Sequence, residues 1–317
     1  MAEFFIMLKN VIVFVALAVP GWLLAKKKLL KGEDCNVLTQ LILYVGMPFL
    51  VFYSTLNIDF NGRVALELLL VAVITGVGQY VFSLLSGVIA KAEAEEEQRG
   101  ILRFAMVFGN NGFLGLPLVT ALFSQSMPSV CTYFVSVGIV TNLTMMFVGD
   151  PLVSGKKAEV SLKSVLLSPL TISFALGIGA NLLGVTAAVP ELENYAEYLK
   201  NLVTPLSMLI IGVKFGQLRV RELFLSKKLY FVALIRLVLT PALVVALLLL
   251  ARLALPISNP LLIALFVGFA MPSGALTTSL AVKYNVPGNN ATVYVLGTTL
   301  FSVITLPVMY FLLQLVL

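Results

Sequence analysis

Histidine is absent from all 317 residues, cysteine occurs twice, tryptophan once, and only 11% of the chain is charged. Each shortage excludes something. Without histidine there is neither a Ser-His-Asp triad nor an HExxH zinc helix, so an intramembrane serine protease or metalloprotease is ruled out. Asp34, Asp59 and Asp150 all fall at or beyond the ends of apolar runs. That removes the buried pair an aspartyl protease needs. Cys35 and Cys131 have no metal-ligating neighbours and fall on opposite sides of a membrane, so they do not pair. No cofactor and no metal is expected. A soluble domain carries about 25% charged residues, so the scarcity of charge also argues against a soluble enzyme core.

What the chain does have is apolar length. It is 60% hydrophobic with a mean hydropathy of +1.03. A bilayer crossing takes about 20 apolar residues, and such runs lie near 4–25, 36–56, 64–90, 101–124, 127–149, 164–184, 201–218, 228–250, 260–282 and 290–315. They are continuously apolar rather than alternating, which excludes a β-barrel. The expected fold is an all-α polytopic membrane protein of ten transmembrane helices.

Charge orients these crossings. Lys26, Lys27, Lys28 and Lys31 follow the first run, Lys91, Arg99 and Arg103 the third, and Lys156, Lys157 and Lys163 the fifth. Arg219, Arg221, Lys227 and Lys228 follow the seventh, and Lys283 the ninth, while the even loops hold Arg63, Lys200 and Arg252. By the positive-inside rule the odd loops are cytoplasmic and both termini lie outside the cell membrane. The net charge of +6 reflects this bias, and the basic clusters lack the interleaved aromatics of a nucleic-acid surface. The first run has no basic leader or cleavage site and is read as a retained helix. The acidic run 91–100 reads as a solvated turn, and 191–202 as an interfacial helix on the outer surface.

Ten crossings divide into two fives, 1–150 and 164–317, joined by a short cytoplasmic linker, 151–163. Because five is odd, the second set is inverted. Pro48 and Pro205 mark corresponding crossings, and so do Gly112 and Pro272. The fourth crossing contains GNNGFLGLP, 109–117, and the ninth contains AMPSGALTTS, 270–279. Irregular backbone at membrane depth is tolerated only inside protein or against a wet cavity. Both helices are therefore expected to break, facing inward. Breaks at corresponding positions of inverted halves point to a transporter's substrate site. Two half-helix N-termini, at 111–113 and 273–275, would meet near mid-membrane and offer N–H donors to an anion. Asn110, Asn111, Gly112, Phe113 and Pro117 on one side, and Pro272, Ser273, Gly274 and Thr277 on the other, are the candidate binding residues. The carbonyls ending the first halves could hold Na⁺.

Other polar groups at depth need placing. Asn142 lines the cavity or makes an interhelical hydrogen bond, while Gln79, Ser173 and Asn181 read as packing residues. Lys214 and Arg236 are long enough to snorkel, and Arg236, the deeper, either anchors the structure or adds positive potential to an anion path. Glu67 is the one acidic side chain inside a crossing away from the N-terminus, which leaves little for a proton relay.

Taken together, GNNGFLGLPLV, AMPSG leading to AVKYN, TPLSMLIIG at 204–212, and Arg236 five residues before Pro241 resemble the auxin efflux carrier family. That family includes the plant PIN carriers and bacterial malate or malonate permeases. The resemblance spans essentially the whole chain. It implies two inverted five-helix repeats with helices 4 and 9 crossing at their breaks, a scaffold of helices 1, 2, 6 and 7, and a transport domain from helices 3–5 and 8–10. It further implies a homodimer, elevator-like movement and a crossover at Asn110, Asn111, Gly112 and Pro117 with Pro272 and Ser273 opposite. The short 150–163 loop is similar to that of prokaryotic members. The implied cargo is a small organic anion, a mono- or dicarboxylate such as malate or an auxin-like acid, with Na⁺ or H⁺ open as coupling ion. A sodium-coupled carrier resembling bile-acid symporters is the nearest alternative, an anion channel the more remote one.

Overall fold

A computed structural model describes residues 8–9, 11–13, 15–56, 58–92, 96–156, 163, 166–217, 220–287 and 289–317. The start of the first apolar run, Glu93 and Glu95 of the acidic run, residues 157–162 of the linker including Lys157, and Arg219 lie outside them. The described residues are helical, with no strand. We name the principal helices α1 (Val19–Lys26), α2 (Cys35–Leu56), α3 (Gly62–Ile89), α4 (Glu96–Val107), α5 (Asn111–Phe123) and α6 (Pro128–Ser154). The second half supplies α7 (Pro169–Leu182), α8 (Glu191–Gln217), α9 (Lys227–Ala251), α10 (Asn259–Ala270), α11 (Leu276–Lys283) and α12 (Asn290–Gln314). Six of these, α2, α3, α6, α8, α9 and α12, are long and apolar enough to cross a membrane, and α5, α7 and α10 are shorter apolar helices. The fourth and ninth apolar runs each contain two helices, α4 with α5 and α10 with α11, so neither run holds one full-length helix.

Proline shapes the long helices in a regular way. Four stretches, Ile42–Gly46, Asn111–Gly115, Met145–Gly149 and Ile235–Leu239, widen into π turns, and each ends two residues before a proline: Pro48, Pro117, Pro151 and Pro241. A proline offers no N–H to the carbonyl four residues back, and its ring crowds that carbonyl. The helix answers with a wider turn. In each case the residue preceding the proline donates its N–H five residues back, as Leu116 does to Asn111 and Thr240 to Ile235. A π turn at a functional site re-aims one side chain without ending the helix.

Packing follows two exchanges. Helix α1 lies against α8 and α2 against α7, while α6 packs on α3 and α10, and α9 on α10 and α12. The α1–α8 contact is built on small residues: a Cβ on Gly212 would stand 1.9 Å from the Ala18 carbonyl oxygen, and one on Gly21 2.1 Å from that of Leu209. The α2–α7 contact is as close. A Cβ on Gly177 would meet Thr55 Oγ1 at 1.9 Å and the Phe52 carbonyl at 2.8 Å, whereas Gly179, one turn-half away, has nothing within 4 Å. Small residues at such crossings let backbones approach where no hydrophobic force between helices is available. Gly177→Ala is therefore expected to lower thermal stability in detergent by overpacking, at about 1–3 kcal/mol. Gly179→Ala, which only gains helix propensity, should leave the melting temperature unchanged or raise it. Asn181, read above as packing, instead caps the end of α2, with Nδ2 2.6 Å from the Leu56 carbonyl and 2.9 Å from that of Ile58.

The segment 191–202 does not lie alone on the outer surface. It opens α8 and packs on α2, with Ala196 and Lys200 buried, Tyr195 edge-on to Phe49 at 5.5 Å, and Lys200 Nζ 3.6 Å above the Tyr53 ring. Its apolar side, Leu192, Ala196 and Leu199 at helical spacing, meets protein rather than lipid headgroups.

Candidate anion-binding crossing

Helix α4 stops at Val107 and α10 at Ala270, and the chains beyond them run past each other in opposite directions. Gly109 and Ser273 form a single antiparallel pair. The Asn110 N–H donates to the Pro272 carbonyl at 2.7 Å and the Gly274 N–H to the Phe108 carbonyl at 2.9 Å, a reciprocal arrangement about the Gly109–Ser273 pair. Backbone groups at this depth must be satisfied internally, and each segment satisfies the other. The contact centres on Gly109, three residues before the Gly112 expected from sequence, because the pairing is set by the facing chain.

Two helix ends remain, and one side chain meets both. Arg236, on the π turn of α9 and 1% exposed, donates from Nη1 to the Val107 carbonyl at 2.9 Å. Its Nε reaches the Met271 carbonyl at 2.8 Å and its Nη2 the Gly268 carbonyl at 3.3 Å. These are last-turn carbonyls of α4 and α10, which have no partner inside their own helices. Arg236 does not snorkel. Several of the ending carbonyls have partners: Val107, Gly268 and Met271 face the guanidinium, Phe108 and Pro272 accept the crossing amides, and Ala105 accepts Ser273 Oγ at 2.8 Å.

The opposite ends open the second helices. In α5 the first amides are those of Asn111, Gly112 and Phe113, with Gly115 N–H reaching back to the Asn110 carbonyl at 2.9 Å. Helix α11 begins at Leu276, later than the expected 273–275. The Gly274 amide is bonded to Phe108 and the Ser273 amide to Thr298 Oγ1 at 3.0 Å, so Ala275 and Leu276 are left to open the helix. Thr277 is buried, with its hydroxyl on the Gly274 carbonyl at 2.7 Å.

Electrostatics decides the sign of the site. Each helix end carries roughly half an elementary charge, positive at N-termini and negative at C-termini. Two of each meet here, so their sum is about zero. Arg236 adds a full positive charge on the negative ends, which leaves the N-terminal side uncompensated.

Asn110 and Asn111 are both buried. Asn111 Nδ2 lies 3.0 Å from Thr141 Oγ1, which also accepts Gln79 Nε2 at 2.8 Å, and Gln79 Oε1 accepts from Thr144. Asn111 Oδ1 is buried with no hydrogen-bond partner among the described residues. Gln79, read above as a packing residue, therefore reaches the crossing through one threonine. Gly112 faces Met47, whose Cε would be 3.2 Å from an added Cβ, and Phe113 packs on the hydrophobic core. Pro117 is buried and acts through the π turn it imposes on Asn111–Gly115, and Asn142 is half-buried beside Thr141. Thus the crossing brings together Asn110, Pro272, Ser273 and Gly274, with Asn111 and Thr277 adjoining. Arg236, Thr141 and Thr298 complete it. Thr141 and Thr298 showed in the sequence only as polar side chains deep in apolar runs, and Arg236 also by its spacing to Pro241.

Two other charge clusters lie elsewhere. Glu67, 2% exposed, accepts from Tyr133 and from Ser258 Oγ at 3.0 Å, with Arg63 Nε at 3.3 Å. Asp150 ties α6 to the end of α11 through Lys283 at 3.0 Å and Tyr284 at 2.7 Å. The contacts with Tyr284 and Asp150 raise the Lys283 ammonium above its ordinary pKa.

A search of curated proteins finds no match. The sequence profile of the membrane transport protein family matches residues 5–157 and again 155–310. With an all-helical chain and apolar helices long enough to cross a bilayer, the match makes this a multi-pass membrane transporter, and the chain belongs to the auxin efflux carrier family.

Proposed function

We propose that this protein is an elevator-type secondary transporter that carries a small organic anion, a mono- or dicarboxylate such as malate or an auxin-like acid, across the cell membrane. The observation that carries the reading is Arg236: one buried guanidinium on the carbonyl ends of α4 and α10 tips a crossing of otherwise balanced dipoles to net positive. The carboxylate sits against the amides opening α5 and α11, with Asn110 and Asn111 beside it. On this reading α4 with α5 and α10 with α11 are the halves of crossings 4 and 9 in two inverted repeats. The exchange of α1–α8 for α7–α2 contacts supports that symmetry, and the glycine-tight packing of those helices suits a fixed scaffold. The scaffold joins a homodimer and the remaining helices move against it. Sodium coupling at the ending carbonyls is disfavoured, because Arg236 and the crossing amides hold several of them.

The test compares an acid with its uncharged amide in proteoliposomes of purified protein. Malate is expected to raise the melting temperature and to be taken up, its diamide to do neither. Asn110→Ala and Asn111→Ala should each weaken malate binding roughly 10- to 150-fold, the range for losing one hydrogen bond to a charged group. Equal uptake of acid and amide, or undiminished malate affinity in the double alanine variant, would sink the reading.

A further inference from the structure

Helices α3 and α9 both lean on α10 and leave a groove between them. Two cavities of about 320 and 340 Å³ lie along it and share Phe82, Leu85 and Leu243, so they form one continuous trough. On α3 it runs from Val73 to Ile89, about 24 Å at 1.5 Å per residue, most of a hydrocarbon core of about 30 Å. The floor is buried and apolar, with Phe269 and Val107. The rim is open: Leu85 and Leu243 are each 46% exposed.

Basic side chains lie beside one end of the trough. Ser86 lines it, and Arg103 donates from Nε to Ser86 Oγ at 3.3 Å and from Nη2 to the Ser83 carbonyl at 2.9 Å. A guanidinium has five N–H donors in a fork that suits phosphate, and these two bonds leave donors over. Exposed Lys91 follows α3 at this end, and exposed Lys227 and Tyr230 begin α9. Basic and aromatic groups beside an apolar channel match the parts of one molecule, a charged head on a hydrocarbon tail.

We propose that this trough binds one anionic phospholipid, with the phosphate on Arg103 and an acyl chain along Phe82, Leu85 and Leu243. Its tail lies directly behind Val107, whose carbonyl holds Arg236, so the bound lipid seals the back of the crossing against the bilayer. The occupant follows from the charge at the Ser86 end, and it is independent of what the crossing carries.

Native mass spectrometry of the purified protein, titrated with phosphatidylglycerol or phosphatidylcholine of identical tails, tests it. Wild type should retain one phosphatidylglycerol at about fivefold lower lipid concentration than phosphatidylcholine, the effect of one basic residue at a headgroup. Arg103→Gln should bring the two lipids within twofold of each other while binding persists. Leu243→Trp, which fills the shared waist from an exposed rim position, should lose both, and Arg252→Gln at the far end should match wild type. Equal retention of the two lipids by wild type overturns the proposal. So does full retention by Leu243→Trp, or an unchanged preference in Arg103→Gln.

Discussion

Replacing Arg236 with glutamine is expected to abolish malate uptake and to remove the malate-induced rise in melting temperature. The variant keeps a polar side chain, shorter than arginine, and loses the charge. Three bonds from one guanidinium to the Val107, Met271 and Gly268 carbonyls go with it. A buried carbonyl left without its donor costs about 1–3 kcal/mol, and here carbonyls are left facing one another without a cation between them. The N-terminal sides of α5 and α11 also lose the excess positive potential that favours a carboxylate. Arg236→Lys separates the two contributions. It restores the charge but not the planar fork that reaches three carbonyls at once, so it should recover part of the stability and a measurable fraction of uptake. Wild-type uptake by Arg236→Gln in proteoliposomes would show that the crossing takes its cargo without help from this residue.

The parts of this protein that were legible in its sequence are those set locally. Apolar length reported the membrane. Glycine and proline marked where helices α4 and α10 end, because they act on the backbone of their own turn. Pro117 likewise marked a distortion, but the prolines at 48, 117, 151 and 241 did not say that the helix would widen and continue. What was not legible depends on the facing chain. The register of Gly109 on Ser273 is a pairing across the whole fold, and the start of α11 moves to Leu276 because amides before it are bonded to other segments. Arg236 was visible as a deep charge. Its partners lie 129, 35 and 32 residues away, and no local pattern names them. Without them the ending carbonyls looked vacant and open to Na⁺.

Gly109→Ala should cost part of what the loss of Arg236 costs, and for the same reason. A Cβ at Gly109 would stand 2.1 Å from Arg236 Nη2 and 3.2 Å from the Met271 Cβ. A long side chain usually yields to such a contact, but this one is fixed at three points by carbonyls from two helices. The added methyl group must displace the guanidinium or separate the crossing chains, an overpacking cost of about 1–3 kcal/mol. The mechanism predicts a coupling as well as a loss. In an Arg236→Gln background, whose shorter head leaves the space beside Gly109, the same methyl should cost less than half as much. The difference is an interaction energy of at least about 0.5 kcal/mol in a double-mutant cycle read by unfolding in detergent. Gly112→Ala is the comparison, since its Cβ meets only the flexible Met47 Cε at 3.2 Å and should be nearly neutral. Strict additivity of Gly109→Ala and Arg236→Gln would mean that the glycine is there for some reason other than the arginine packed against it.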